Sequence, residues 1–174
     1  MVYRLGEIYG VPVRETKVGF KYIAPLMITE NALIGGEESG GYGFRGHVPE
    51  RDGILSSLYF LDFMVRTGKT PARLLEHLFS QVGPHHYDRV DITFPAEQRQ
   101  SILERVRGEH PATIDGVKVS AADTTDGFRF ILADGSWLLI RFSGTEPVLR
   151  VYTETDRPER VTRLLEIGRR MTGV

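Results

Sequence analysis

Four strand-like segments follow one another closely in the second half of the chain, and this run constrains the fold more than any other feature. Their sequences are VKVSAAD, FRFILADG, SWLLIRFSG and VLRVYTET. Asp126-Gly127 and Asp134-Gly135 supply the turns, since Asp-Gly is a preferred pair in tight hairpin loops. Because a tight turn joins antiparallel strands, the run predicts an antiparallel sheet.

Further elements complete a unit that we place at residues 86–174. The strand YDRVDITF comes first, and a helix that Pro95 opens follows it. The chain ends in a second helix, where Asp156 and Glu159 have capping-box spacing. The whole pattern predicts an α+β unit, a mostly antiparallel sheet with two helices on one face.

Strands and helices alternate in residues 1–82, which predicts a layered α/β unit. VPVRET (residues 11–16) is predicted as a strand, and residues 32–34 as a buried strand. The helix at residues 1–9 is short, which indicates an incomplete α/β unit. GPHH separates the two units, and we assign His85 and His86 to this hinge because no third metal ligand lies near them in sequence.

Composition excludes several classes of function. The 174 residues carry 22 basic and 23 acidic side chains, so no basic excess favours nucleic acid or a membrane surface. No apolar run approaches the roughly 18 residues of a membrane-spanning helix. The absence of cysteine excludes disulfides and thiolate sites. We expect a cytoplasmic protein with no nucleic-acid and no membrane partner.

The glycine-rich loop GGEESGGYGF (residues 35–44) is the first candidate site. Glycines let a backbone approach a ligand closely. In extended backbone, Glu37 and Ser39 would point to one side and Glu38 to the other. A carboxylate and a hydroxyl on one side suit the hydroxyls of a sugar. A solvated surface turn is an equal alternative, and a metal site at Glu37 and Glu38 is disfavoured by their diverging directions.

A second loop, in LLIRFSGTEPVLRVY (residues 138–152), has groups that suit a phosphate. Arg141, Ser143 and Thr145 share a face if the backbone is extended, and Gly144 allows N–H groups to converge on an anion. Arginine matches phosphate with paired hydrogen bonds and stays charged at any working pH.

Arg150 alternates with Leu149 and Val151 and is expected to project from the face opposite those two apolar residues. It would be the second guanidinium of the phosphate site. The alternative is an ordinary hairpin with a structural arginine paired to Glu146 or Asp134.

Together, GGEESGGYGF and RFSGTEPVLR resemble the sugar-binding and phosphate-binding loops of the α-D-phosphohexomutases. ETKVGFKYI and GHVPERDGI resemble the segments that flank the sugar loop. Their order matches the family's third domain followed by its fourth, so the resemblance covers nearly the whole chain. It implies an N-terminally truncated third domain at residues 1–82 and a fourth domain at residues 86–174.

The resemblance implies an isomerase-class phosphotransferase that moves a phosphoryl group between C1 and C6 of a hexose. Family members use a phosphoserine, a bound Mg²⁺ and a hexose 1,6-bisphosphate intermediate. The serine and metal loops belong to their first two domains, and no such stretch occurs here. The resemblance therefore implies that the chain contains no metal ligands, needs the missing N-terminal domains and is inactive alone.

Site residues follow from the same resemblance. Those expected to bind the sugar are Glu37, Ser39, Lys21 and Arg51. Those expected to hold the substrate's non-transferring phosphate are Arg141, Ser143, Gly144, Thr145 and Arg150.

The resemblance does not identify which residue acts as the general acid or base. Some relatives have a histidine where this chain has Gly41, and others a lysine where it has Arg51, which cannot act as a base. Histidine is the side chain that ordinarily changes charge near neutral pH, and His47 is our candidate for proton transfer. Lys17 and Lys21 are rivals, since burial lowers the pKa of a lysine.

Several functional alternatives stay open. The hexose is expected to be glucose, with mannose and glucosamine as the alternatives. A stand-alone sugar-phosphate binding module would contain the same two loops. Nucleic-acid binding by the second unit is disfavoured by the near-zero net charge.

Overall fold

A computed structural model describes all 174 residues. The chain divides into two compact units, Met1–Val82 and Gly83–Val174, and each is described by itself. No helix in either unit has both the length and the apolar character required to cross a bilayer.

The first unit consists of four helices and a two-stranded antiparallel sheet. The helices are α1 (Val2–Tyr9), α2 (Phe20–Thr29), α3 (Gly53–Thr67) and α4 (Pro71–Val82), and the strands are β1 (Ile34–Gly36) and β2 (Tyr42–Phe44). Helix α3 begins where the Asp52 carboxylate accepts the Leu55 N–H at 2.8 Å. It ends at Gly68, which takes the left-handed conformation at φ 63°.

Both strand predictions for the first unit need correction. Residues 11–16 form no strand, because no neighbouring strand pairs with them; Val11 N–H instead donates to the Gly6 carbonyl at 2.8 Å. The strand predicted at residues 32–34 lies at Ile34–Gly36, and Ile34 is 53% exposed rather than buried. Gly35 is the buried residue, and it packs so close to α2 that a Cβ there would lie only 2.5 Å from Ile23.

The second unit is a six-stranded antiparallel sheet in the order β3-β8-β7-β6-β5-β4. Its strands are β3 (His86–Thr93), β4 (Thr113–Ile114), β5 (Val117–Asp123), β6 (Phe128–Leu132), β7 (Trp137–Phe142) and β8 (Val148–Thr155). Its helices are α5 (Arg99–Gly108), preceded by a 3₁₀ turn at Ala96–Gln98, and α6 (Pro158–Thr172). The predicted fold class is confirmed: a small α/β unit is followed by an antiparallel sheet with two helices.

The core of the second unit lies between the sheet and its two helices. Leu138 and Ile140 of β7 and Leu149 and Val151 of β8 are fully buried, and they pack with residues of α5 and α6 such as Leu164. Alternate residues of the same strands therefore point to the opposite face of the sheet. The predicted turns are also present between β5, β6 and β7.

The predicted capping box of α6 is wrong. Arg157 occupies the N-cap position without a side-chain hydrogen bond, and Pro158 is the first helical residue. Asp156 instead contacts the guanidinium of Arg160, at 3.4 Å. The side chain of Arg160 is only 4% exposed, and a buried charge needs oppositely charged partners. Asp134 is one of them, at 2.7 Å.

Candidate functional site

The glycine-rich loop of the first unit is a tight turn between β1 and β2. Gly40 N–H donates to the Glu37 carbonyl at 3.0 Å, and Glu37 N–H donates to the Gly41 carbonyl at 2.9 Å. Gly40 has φ 92°, which strongly favours glycine. Because Glu38 and Ser39 lie in this turn, the extended backbone that we assumed for the loop is wrong, and alternation does not determine their directions.

Arg51 braces the loop from the segment that precedes α3. Its Nη1 lies 3.2 Å from Oε2 of Glu37, whose side chain is 11% exposed. Its guanidinium also lies 5.7 Å from the centre of the Phe20 ring. A Cβ on Gly41 would lie 2.5 Å from Cδ of Arg51, so the stem of this arginine occupies the space that a side chain at position 41 would need.

His47 makes a side-chain contact that the sequence did not reveal. Its Nε2 lies 2.9 Å from Oδ2 of Asp52, and its side chain is 43% exposed. The pKa of Asp52 lies below its usual value, because the Leu55 N–H and then His47 hydrogen-bond its carboxylate. The helix cap therefore also holds the imidazole in one orientation.

The two lysines considered as rivals of His47 lie in solvent. Lys17 and Lys21 are both exposed, and the Lys21 ammonium lies 5.0 Å from the centre of the Tyr22 ring. Burial, the cause that we invoked for a lowered lysine pKa, is therefore missing at both residues.

In the second unit, Arg141 of β7 and Arg150 of β8 lie directly opposite each other. Opposed residues of antiparallel strands have Cβ atoms about 5 Å apart and point to the same face of the sheet. That face is opposite to the one where Leu149 and Val151 are buried. The two guanidiniums therefore project from the helix-free face, at the end of the strands where the loop begins.

Each arginine contacts a different aspartate through its Nε atom. Arg141 Nε lies 3.1 Å from Asp126 in the turn after β5, and Arg150 Nε lies 3.4 Å from Asp91 on β3. Neither Nε atom has a well-aligned hydrogen bond, so these are charge contacts. Our alternative partners were wrong: neither arginine pairs with Asp134, which binds Arg160.

Burial and pairing act in opposite directions on Arg150. Burial favours the neutral form, but Tyr152 and Asp91 favour the charged form and together raise the pKa of Arg150 above its usual value. Arg150 therefore stays a cation in its partly buried position.

The loop between β7 and β8 is organised around Ser143, which is 5% exposed. Its Oγ accepts the N–H groups of Thr145 and Glu146 at 3.4 and 3.3 Å. Gly144 does not have a positive φ, so the glycine-dependent anion nest that we expected is absent. The loop N–H groups converge, but they converge on the serine hydroxyl.

Arg99 of α5 is a contact of this loop that the sequence did not indicate. Its Nη1 donates to the Ser143 carbonyl at 3.2 Å, and its guanidinium lies 5.1 Å from the centre of the Phe142 ring. Asp91 and Asp126 were missed for the same reason, because strand register and turn geometry bring them to the loop rather than proximity in sequence.

Comparison with known proteins agrees with this architecture. Residues 1–82 match the model of the phosphoglucomutase/phosphomannomutase alpha/beta/alpha domain III, and residues 103–168 match that of the C-terminal domain of the same proteins. The chain belongs to the phosphoglucomutase/phosphomannomutase family.

Individual members of this family resemble most of the chain. A phosphoglucomutase/phosphomannomutase of Thermococcus kodakarensis is 34% identical over 91% of the chain, which spans 32% of that protein. A phosphoglucosamine mutase of Methanococcus maripaludis is 32% identical over 92% of the chain, which spans 34% of that protein. The chain thus spans about a third of the length of these curated relatives.

A crystal structure from Thermus thermophilus, described as a phosphomannomutase, resembles the chain in three dimensions. It has a TM-score of 0.79 and 35% identity, and the match covers 99% of this chain and 34% of the other. No group of three histidine, aspartate or glutamate side chains in the 174 residues is arranged to hold a metal ion.

Proposed function

We propose that this chain is the sugar- and phosphate-binding portion of a phosphohexomutase that moves phosphate between C1 and C6 of a hexose. One observation carries the proposal: Arg141 and Arg150 oppose each other on one face of the sheet, at the end of the strands where the β7–β8 loop begins. Two guanidiniums on one face suit a dianionic phosphate, because each can donate paired hydrogen bonds.

The phosphate loop acts by positioning. Arg141 and Arg150 anchor the phosphate that is not transferred, and Thr145 and the backbone at Gly144 lie beside it. Ser143 contributes through its hydroxyl, which supports the loop N–H groups. An anchored remote phosphate places the reacting oxygen of the sugar, and such orientation lowers the barrier to phosphoryl transfer.

The loop of the first unit binds the sugar in this proposal. The Glu37 carboxylate accepts sugar hydroxyl groups, and Arg51 holds it in place through the 3.2 Å contact. Ser39 and Lys21 are exposed and add a hydroxyl and an ammonium group. These assignments rest on the family resemblance together with the brace between Arg51 and Glu37.

We assign proton transfer to His47, with Asp52 as its orienting partner. The 2.9 Å contact fixes which ring nitrogen faces the carboxylate and leaves the other nitrogen for the substrate. In the complete reading frame, His47→Gln should lower kcat with little change in KM, because the glutamine cannot transfer a proton. Unchanged turnover would remove His47 from the mechanism.

The remaining parts of the reaction lie outside these residues in our proposal. The phosphoserine and the Mg²⁺ site belong to N-terminal domains of the same protein, so this chain alone does not catalyse the reaction. Magnesium would neutralise charge on the transferring phosphoryl group. A hexose 1,6-bisphosphate is the intermediate, and its two phosphates occupy the anchor in turn.

Glucose phosphate is the proposed substrate, with mannose and glucosamine phosphates as alternatives. The matched relatives include a phosphoglucomutase/phosphomannomutase and a phosphoglucosamine mutase, which supports keeping all three. Assaying the complete reading frame with each 1-phosphate and Mg²⁺ separates them by kcat/KM. Bisphosphate binding without turnover of any of the three would instead favour a non-catalytic binding module.

The phosphate anchor is tested on the chain itself. Titration with glucose 1,6-bisphosphate, followed by amide NMR, should shift the signals of residues 143–146. Arg141→Gln should abolish these shifts, whereas the exposed Arg157→Gln serves as the charge-matched control. Shifts that survive Arg141→Gln would refute the anchor.

A further inference from the structure

A row of four charged side chains crosses the helix-free face of the second unit. Asp91 on β3 lies directly opposite Arg150 on β8, and Arg150 lies directly opposite Arg141 on β7. Asp126, in the turn beside β6, closes the row with its 3.1 Å contact to Arg141. The order across the sheet is negative, positive, positive, negative.

The two central members of this row repel each other. Like charges directly opposite on neighbouring strands destabilise a sheet, and both guanidiniums stay ionised at any working pH. Each has one aspartate on the side away from the other. The four charges of the row sum to zero, and each guanidinium has a carboxylate contact that offsets the repulsion.

The backbone around Asp126 is built for this contact. Gly127 has φ 111°, and a Cβ there would lie 2.7 Å from the Ile140 carbonyl and 3.2 Å from Cβ of Arg141. No other residue fits so close to β7. The glycine therefore brings the β5–β6 turn against Arg141, so that the preceding aspartate reaches its Nε.

We propose that Asp91 and Asp126 are internal counter-ions of the phosphate anchor, which compete with the bound phosphate for Arg150 and Arg141. The inference rests on the proposed phosphate-binding role of these arginines. Each aspartate contacts its arginine through Nε, and its charge repels the same dianion. They therefore hold the arginines in place and also weaken the grip on phosphate.

A lower affinity for phosphate suits the proposed reaction. The anchor must release one phosphate of the bisphosphate intermediate before it takes the other. Two unopposed guanidiniums would bind each phosphate tightly and slow this exchange. The counter-ions keep the anchor reversible, so they act on release rather than on the chemical step.

The two aspartates should compete with phosphate to different extents. Asp91 lies 3.4 Å from Arg150 and 3.5 Å from Arg89. Asp126 contacts Arg141 at 3.1 Å, beside a cavity of about 460 Å³ that Arg107 also lines. Arg141 is the less exposed of the two central arginines, at 16% against 27%, so solvent screens its pair less. Asp126 should therefore be the stronger competitor.

The first test measures affinity for inorganic phosphate by calorimetry on the 174-residue chain, at constant ionic strength. Asp126→Asn should bind phosphate about tenfold more tightly than the wild type, since one repulsive charge near the ligand is removed. Asp91→Asn should bind about threefold more tightly, because the contact of Asp91 with Arg150 is longer and more exposed to solvent than that of Asp126 with Arg141. Asp62→Asn, which removes one charge from an exposed ion pair of α3, should leave the affinity unchanged.

Affinity that falls or stays the same in a folded Asp126→Asn variant would overturn the proposal, because a purely structural carboxylate cannot oppose binding. Kinetics of the complete reading frame give a second readout. Competition predicts that Asp126→Asn lowers kcat and KM together, as release slows and binding tightens. A higher KM would contradict it.

A thermal double-mutant cycle keeps this inference separate from the proposed function. In phosphate-free buffer, Asp126→Asn should lower the melting temperature, and most of the loss should vanish in an Arg141→Gln background. Coupling without any phosphate binding would refute the anchor and leave the charge pairing intact. Phosphate binding without coupling would refute the counter-ions and leave the anchor.

Discussion

Helices α3 and α6 have the same length of 15 residues, but the two units use them differently. α6 buries Val161, Leu164 and Met171 against the six-stranded sheet. α3 buries none of its residues, although it has an apolar stripe at helical spacing. The stripe consists of Ile54, Leu58, Leu61 and Val65, which are between 55% and 79% exposed.

The difference lies in the sheet that each unit offers its helices. The second unit has one continuous buried cluster, and every member of it lies between Ile92 and Met171. The first unit has two strands of three residues each, and Phe20, Met27 and Leu74 are the apolar side chains that it buries. Periodicity therefore reports that a helix has an apolar face, and only the surrounding layers determine whether that face is covered.

The largest expected effect comes from expressing the two units separately: residues 83–174 should fold, and residues 1–82 should not. Residues 83–174 expressed alone should unfold cooperatively in urea, because their core is self-contained. Residues 1–82 alone should show no cooperative transition and should bind a hydrophobic dye, because they bury too little apolar surface. Circular dichroism and dye fluorescence provide the measurement. A cooperative transition of residues 1–82 would show that the exposed stripe is compatible with an independent fold.

Truncating one leucine in each unit compares the two helix environments at a single residue. Leu164→Ala of α6 should destabilise the second unit by about 2–5 kcal/mol, because it leaves a cavity in a fully buried site. Leu58→Ala, at a position 57% exposed, should change stability by less than about 0.5 kcal/mol. Urea unfolding of the 174-residue chain measures both, and similar losses for the two variants would contradict the burial contrast.

The free energy of unfolding of the second unit should depend on pH through the carboxylate of Asp134. The pKa of Asp134 in the second unit lies below its usual value: burial alone would raise it, but hydrogen bonds from Ser136 and Arg160 outweigh burial. A lowered pKa in the folded state means that the stabilisation is complete above the unfolded pKa. It is lost as the pH falls through the lower folded pKa, which places the loss below about pH 4.

Asp134→Asn should therefore flatten the acid loss of stability in the second unit, measured by urea unfolding between pH 2 and pH 6. The exposed Asp62→Asn in α3 is the control for removing one negative charge. An acid profile of Asp134→Asn that matches the control would show that the contacts of Asp134 do not stabilise the folded state.

The predictions that were correct depend on residues close together in sequence, and those that failed depend also on distant residues. Tight turns at Gly127 and Gly135 and the alternation of Leu149, Arg150 and Val151 are local, and both were predicted correctly. VPVRET failed as a strand because a strand also needs a neighbour to pair with, which local pattern cannot reveal. The capping box failed because a buried arginine attracts the aspartate that was expected to cap α6.

The candidate site divides in the same way. Sequence pattern indicated both loops and the two arginines of the second. The partners of those arginines, Asp91 and Asp126, were not predictable, because they depend on which strands are neighbours and in which register. Arg99 lies more than 40 residues before the carbonyl that it contacts, and no local signal marks it.

The smallest expected effect concerns amide hydrogen exchange in the two loops. An arginine outside each loop contacts it and restricts its motion. Arg99 donates to the Ser143 carbonyl in the second unit, and Arg51 contacts Glu37 in the first. Arg99→Met should accelerate hydrogen exchange of the Thr145 and Glu146 amides about fivefold, since one hydrogen bond is worth about 1 kcal/mol. The methionine keeps most of the apolar contact with Phe142, so the change isolates the hydrogen bond.

The matched variant is Arg51→Met, which should accelerate exchange at residues 37–41 and leave residues 143–146 unchanged. Both are measured by NMR on the 174-residue chain, with the exposed Arg105→Met of α5 as the control. Arg51 also packs over Gly41 and Phe20, so its loss should loosen the first loop more than the loss of Arg99 loosens the second. Equal exchange in wild type and Arg99→Met would mean that Ser143 and its own hydrogen bonds hold the phosphate loop without help from α5.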